Sequence, residues 1–139
     1  MSVFLEALTP EAEISIGGRQ RLALTRFPFK VGRESRMVAA GDGFKVAERR
    51  RSDVAPSNDL YLIDQGRRLS VSRAHFQIEQ TEDGGYLLRD RGSALGTYVG
   101  DQQVGGGDSG GVAELKSGGV IVVGTTESPF VFRFVVSTD

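Results

Sequence analysis

Ser72-Arg73-Ala74-His75 contains the chain's only histidine, with a serine three residues before it and an arginine between them. A hydroxyl beside an imidazole is the raw material of a nucleophile and its base. The spacing argues against that use. In extended chain, residues three apart point to opposite faces, so Ser72 and His75 pair only through a turn. No evident third group orients the imidazole. A lone histidine in a chain without cysteine does not complete a usual metal site either. A histidine that hydrogen-bonds a neighbouring loop is the better reading than a general base.

The other reactive patterns lie in the glycine-rich stretch Gly105–Gly111. Gly107-Asp108-Ser109-Gly110-Gly111 has the letters of a nucleophile elbow. An elbow needs a helix directly after the serine and a histidine later in the chain, and His75 comes earlier. Gly105, Gly107 and Gly110 match a dinucleotide fingerprint, which requires a strand–helix–strand unit that this chain does not show. GGVAELKS resembles a P-loop ending, but Leu115 stands where its second glycine belongs. A glycine-rich hairpin loop accounts for all three. A hydrolase built on Ser109 or Ser72 stays a distant third reading.

These residues must be held by something, and the sequence points to strands. Phe27, Phe29 and Val31 alternate at period two, as do Phe76 with Ile78, and Phe130, Phe132, Phe134 and Val136. TEDGGYLLRD reads as a hairpin, its turn at Asp83-Gly84-Gly85. VIVVG reads as a short buried strand. Short strands separated by turn residues predict an all-β sandwich or barrel. The one helix expected is a short piece around Phe4–Leu8. Residues 34–58 read as a long insertion loop with little alternation, and 105–111 as a flexible loop.

The chain has 139 residues, 39% hydrophobic and 25% charged, which suits one globular domain spanning 1–139. A formal net charge of −1 supplies no global basic field for nucleic acid. No apolar run is long enough for a membrane span, and the start lacks the pattern of a signal peptide. The lack of cysteine excludes disulfides and fits a reducing cytosol. The expectations are therefore a cytoplasmic protein, with no cofactor, no nucleic acid, no membrane and no metal. Arginine supplies most of the positive charge, and its planar fork suits carboxylates and phosphates.

The ordered set FPFKVGR, SNDLYL, LSVSRAHFQIE and LLRDRGSALGTYV resembles a forkhead-associated (FHA) domain over roughly residues 12–136, leaving 1–11 as a short N-terminal extension. The signature elements are Gly32-Arg33, Ser72-x-x-His75 and the turn Gly92-Ser93…Gly96-Thr97. The resemblance implies a β-sandwich of about eleven mostly antiparallel strands. It also implies a non-catalytic module that binds phosphothreonine peptides, the products of Ser/Thr kinases, through loops at one end. Phosphothreonine carries about −1.5 to −2 charge and three strong acceptor oxygens, so it needs a fixed cation and neutral donors. By resemblance Arg33, placed after a glycine that lets the chain turn tightly, is the main phosphate ligand. Ser72 donates its hydroxyl or its backbone N–H. His75 braces the loops, with Gly32 and Gly96 as structural partners. Thr97 is a candidate contact, although a threonine in a turn often bonds its own backbone.

The chain departs from the family pattern where the peptide backbone is usually held. Asparagine commonly precedes the Gly-Thr pair, and here that residue is Leu95, after Ala94. A second asparagine commonly follows the next strand, where this chain has Gly100-Asp101. Leucine cannot make amide hydrogen bonds. Arg73, beside Ser72, is the candidate substitute. The departures also keep open an alternative, a phosphate-independent assembly domain in which Leu95 adds apolar contact area. Arg49–Arg51 reads either as a basic rim for acidic or phosphorylated partners or as a solvated loop. FHA modules frequently sit beside other domains, so further domains of a longer protein are also candidate partners.

Overall fold

The computed structural model describes residues 2–34, 37–40, 43–46, 58–65, 69–107 and 109–138, with backbone alone for 37–40 and 43–46. In chain order the elements are β1 (Ser2–Ala7), α1 (Pro10–Ser15), β2 (Arg21–Ala23), β3 (Phe29–Arg33), β4 (Met37–Ala40), β5 (Gly43–Val46) and β6 (Leu60–Leu62). They continue with β7 (Phe76–Gln80), β8 (Tyr86–Asp90), β9 (Thr97–Val99), β10 (Gln102–Val104), β11 (Gly111–Leu115), β12 (Val120–Val123) and β13 (Val131–Ser137).

Eleven of these strands form two sheets, in the orders β10-β9-β12-β13-β1-β2 and β11-β8-β7-β3-β6. Among the described residues β3 with β6 is the one parallel pair. The inner faces follow the alternation of the sequence. Phe132 and Phe134 of β13, Ile121 and Val123 of β12, and Phe76 and Ile78 of β7 are all fully covered. Each such side chain contributes about 1.5–3 kcal/mol relative to leaving it in water. In β12 only alternate residues are buried. Val120 and Val122 face outward, so the strand is half-buried, where its sequence suggested full burial.

Two expectations are corrected. The N-terminal segment is a strand, not a helix or an extension. β1 lies between β13 and β2 with Val3 and Leu5 in the core. The helix starts at Pro10. Thr9 caps it by accepting from Ala12 N, and Glu11 and Glu13 lie in its first turn. Thr-Pro-Glu was a legible start signal. The stretch 34–58 also contains more structure than a loop, because β4 and β5 pair as an antiparallel hairpin within it.

The register sets the geometry of one end of the sandwich. Val31 of β3 pairs with Phe76 of β7, and Phe76 pairs with Asp90 of β8. Arg33, His75 and Arg91 therefore leave their strands at the same end. Convergence of these loops was expected from the family resemblance alone, since strand alternation does not dictate it.

Candidate functional site

Arg33 closes β3 with its backbone N–H donating to the Ser72 carbonyl at 2.9 Å, and its Nη1 donates to the Val71 carbonyl at 3.1 Å. The end of β3 is thus tied along the β6–β7 loop. The loop is pinned from its other side by Asp64, whose Oδ2 accepts from the N–H groups of Ser70 and Val71 at 2.7 and 3.1 Å. Ser72 is half-buried, and its Oγ accepts from the Ala94 N–H at 3.0 Å. That bond fixes the oxygen and leaves its proton available to donate. Arg33 and Ser72, from distant parts of the chain, are joined here by a backbone bond.

His75 is fully buried behind this pair. Its Nδ1 accepts from the Ser72 N–H at 2.9 Å, and its Nε2 lies 2.7 Å from the Gly96 carbonyl. A carbonyl only accepts, so Nε2 carries the proton and the ring is the neutral tautomer. Burial pushes the His75 pKa below its ordinary value, opposed by the Gly96 bond and nearby Asp90, and aided by Arg91. With Nδ1 taken, the Ser72 backbone N–H is not available to a ligand, which removes one of its two expected roles. Nor does either ring nitrogen bond the Ser72 hydroxyl, so the nucleophile–base pair does not form.

Gly32 has a role different from the turn expected of it. It lies within β3 and is buried, and a Cβ there would stand 2.0 Å from the Arg73 carbonyl oxygen and 2.6 Å from Asn58 Nδ2. Glycine is needed for close approach. Asn58, 8% exposed, donates from Nδ2 to the Arg73 carbonyl at 2.8 Å, while its Oδ1 accepts from Arg91 Nη1. Burial lowers the Arg91 pKa from the usual arginine value, with Asp59 and Tyr61 opposing the shift. Arg73 is thereby held by its backbone, while its exposed side chain has no hydrogen bond or ion pair among the described residues.

The β8–β9 loop is organised by Asp90, 3% exposed. Its Oδ1 accepts from the N–H groups of Gly92 and Ser93 at 3.0 and 2.8 Å, and its Oδ2 from the hydroxyls of Ser93 and Thr97 at 2.6 and 3.1 Å. Thr97 is fully buried with its hydroxyl engaged there, so it is not on the surface that a ligand meets. Gly96 has φ +82°, a left-handed conformation that suits glycine, and its carbonyl faces His75. Leu95, at the turn's tip, is 39% exposed. The β10–β11 loop lies against this turn through Gly107 N–H to the Ala94 carbonyl at 2.8 Å.

Asn58 and Asp90 were not singled out from sequence. Asp90 had a local signal, an aspartate followed by Gly-Ser at the second and third positions, which suits an Asx-type turn. Asn58 had none, because its side-chain partners, Arg73 and Arg91, come from the β6–β7 and β8–β9 loops. Ser109 bonds the Gly106 carbonyl at 2.6 Å, far from an elbow geometry, and no helix follows it. Gly100 has φ +62° in the turn after β9. Arg49–Arg51 and Asp108 lie outside the described residues.

The sequence matches the family model described as FHA domain over residues 30–124. No functionally curated protein matches it. Among solved structures, the chain is similar to the FHA domain of the CT664 protein from Chlamydia trachomatis, at 19% identity and TM-score 0.62, covering 99% of this chain and 100% of that one. The N-terminal FHA domain of Rad53p from S. cerevisiae, in complex with a phosphothreonine peptide, aligns at 21% identity and TM-score 0.55, over 97% and 91% of the two chains. Mycobacterium tuberculosis EmbR, in complex with a low affinity phosphopeptide, aligns at 17% identity and TM-score 0.57, over 99% of this chain and 25% of that one.

Proposed function

The chain belongs to the FHA domain family, and from that premise we propose that it is a phosphothreonine-peptide-binding interaction module without catalytic activity. Its partners are proteins phosphorylated by Ser/Thr kinases, met in the cytosol. One observation carries the reading. Arg33 and Ser72 are tied together at one edge of the sandwich, with the Ser72 oxygen fixed by Ala94 N–H and its proton available to donate. A phosphate dianion is matched by that pairing of a cation with a neutral donor. Arg73 adds a second guanidinium on the exposed rim. The phosphopeptide complexes of the Rad53p domain and EmbR supply the ligand class by likeness.

Catalysis is disfavoured by the state of the one imidazole, both of whose nitrogens face backbone groups. A phosphate-independent assembly domain is the second reading, favoured by the exposure of Leu95 at 39% where an amide is customary.

Titration calorimetry with a phosphothreonine peptide and its unphosphorylated twin, on wild type and Arg33→Ala, tests the proposal. Charge-assisted bonds are worth roughly 1.5–3 kcal/mol each, so Arg33→Ala is expected to weaken phosphopeptide binding at least about tenfold. Equal binding by both proteins, or by both peptides, removes the proposal. A tight oligomer indifferent to phosphopeptide in sedimentation supports the assembly reading instead.

A further inference from the structure

The two sheets meet solvent with different side chains. On β7 and β8 the outward positions carry Gln77, Glu79 and Arg89, joined by hydrogen bonds and an ion pair, as suits a solvated face. The outer face of the six-stranded sheet is largely apolar. Its registers set the outward side chains in parallel rows. One row runs Tyr98, Val122, Val131 and Leu8. The next runs Val120, Arg133, Glu6 and Arg21, and the last Val135, Phe4 and Ala23. All of these are half-buried or exposed, while the alternate positions face the core. A contiguous apolar face of this kind marks an interaction surface.

The middle row alternates in charge, and the alternation selects the occupant. Glu6 accepts from Arg21 Nε at 3.1 Å and from Arg133 Nη1 at 3.2 Å. The side chains of Arg21 and Arg133 are 50% and 44% exposed, so each keeps donors for a further carboxylate. A two-fold axis parallel to the strands, between β13 and β1, lays each row on itself in reverse. Val131 then faces the partner's Leu8, Val135 the partner's Phe4, and Arg133 the partner's Glu6. Apolar meets apolar and opposite charges meet, as an isologous interface requires. The other in-plane two-fold, along the charged row, sets arginine on arginine and carboxylate on carboxylate, and repulsion disfavours it.

We propose that this face pairs with a second copy of the chain, β1 and β13 of one lying across β13 and β1 of the other. The axis preserves strand direction, so Arg33 and Ser72 of both copies open at the same end and stay accessible. Such a dimer offers two sites to a ligand bearing two phosphothreonines and gains avidity without any new contact. The pairing is independent of the phosphopeptide reading, and only this bivalent consequence rests on it.

Sedimentation velocity without ligand, from roughly 1 μM to 1 mM protein, tests the pairing on wild type, Arg133→Glu, Glu6→Arg and Leu95→Ala. Wild type is expected to pass from monomer to dimer within that range. Arg133→Glu and Glu6→Arg should each weaken the dimer at least about tenfold, because like charges then meet across the axis. An equimolar mixture of the two should dimerise again, since each new charge finds its opposite in the other variant. That recovery also shows that both variants are folded. Leu95→Ala should leave the dimer unchanged. A wild type that stays monomeric throughout overturns the pairing. So does a dimer indifferent to both charge reversals, or a mixture that does not recover. Loss of the dimer in Leu95→Ala overturns it too, and moves assembly to the ligand loops.

Discussion

The backbone N–H of Arg33 donates to the carbonyl of Ser72 at 2.9 Å, so the two residues most suited to a phosphate are joined by main chain and not by their side chains. Their placement therefore survives side-chain substitution. Arg33→Lys keeps the charge and the backbone bond but loses the planar fork that reaches the Val71 carbonyl. It should bind phosphopeptide severalfold more weakly than wild type yet better than Arg33→Ala, with a nearly unchanged urea midpoint. A midpoint that falls in step with affinity would show that Arg33 is structural.

His75 makes stability depend on pH in a definite direction. Its folded pKa lies below the ordinary 6.5 because burial penalises the charged ring. As pH falls through 6.5 the unfolded chain takes up a proton that the folded chain refuses. Stability is thus full above 6.5 and declines toward the lowered value, by at most about 1.4 kcal/mol per pH unit. Glu79 and Asp83 have pKa values lowered from 4.5 and 3.8, so their contributions are lost at still lower pH. Thermal melts without ligand, between pH 5 and 7, should show the slope in wild type and lose it in His75→Gln. Leaving the ligand out matters, because phosphothreonine itself titrates near pH 6.

Gly32→Ala should be among the most damaging small substitutions. The new methyl would meet the Arg73 carbonyl oxygen at 2.0 Å, and both are held by backbone. Overpacking of this kind costs about 1–3 kcal/mol, and relief requires pushing the Ser72-Arg73 segment away from β3. Chemical denaturation should report the destabilisation, and phosphopeptide affinity should fall with it even where the fold persists.

Asp90→Ala removes the acceptor of two N–H groups and two hydroxyls in a site 3% exposed. Several donors lose their partner at once, so a loss of about 3–5 kcal/mol is expected in urea unfolding. Asp90→Asn should cost less, because it keeps one acceptor oxygen and the Ser93 and Thr97 hydroxyls can turn to accept from the new amide.

The strands of the sandwich were legible because burial on one face imposes period two. Phe130, Phe132 and Phe134 showed it, as did Phe76 with Ile78, and those side chains fill the core. The first strand was missed. A short apolar run such as SVFLEA carries no decisive period, and only its pairing with β13 and β2 makes it a strand. The motif residues were legible by type, yet their meaning changed on folding. Gly32 was read as a turn and proves to be a point of close approach.

By itself the sequence determined the layered β architecture and the chemistry available at its loops, because side-chain type and alternation are local properties of the chain. Tertiary structure alone decided that Arg33, Ser72 and the turn before Thr97 share one end, that His75 is neutral and bound to backbone on both sides, and that Asn58 and Asp90 hold the loops in place. Those outcomes depend on register between strands far apart in sequence and on buried polar groups finding partners, and neither is written in any one segment.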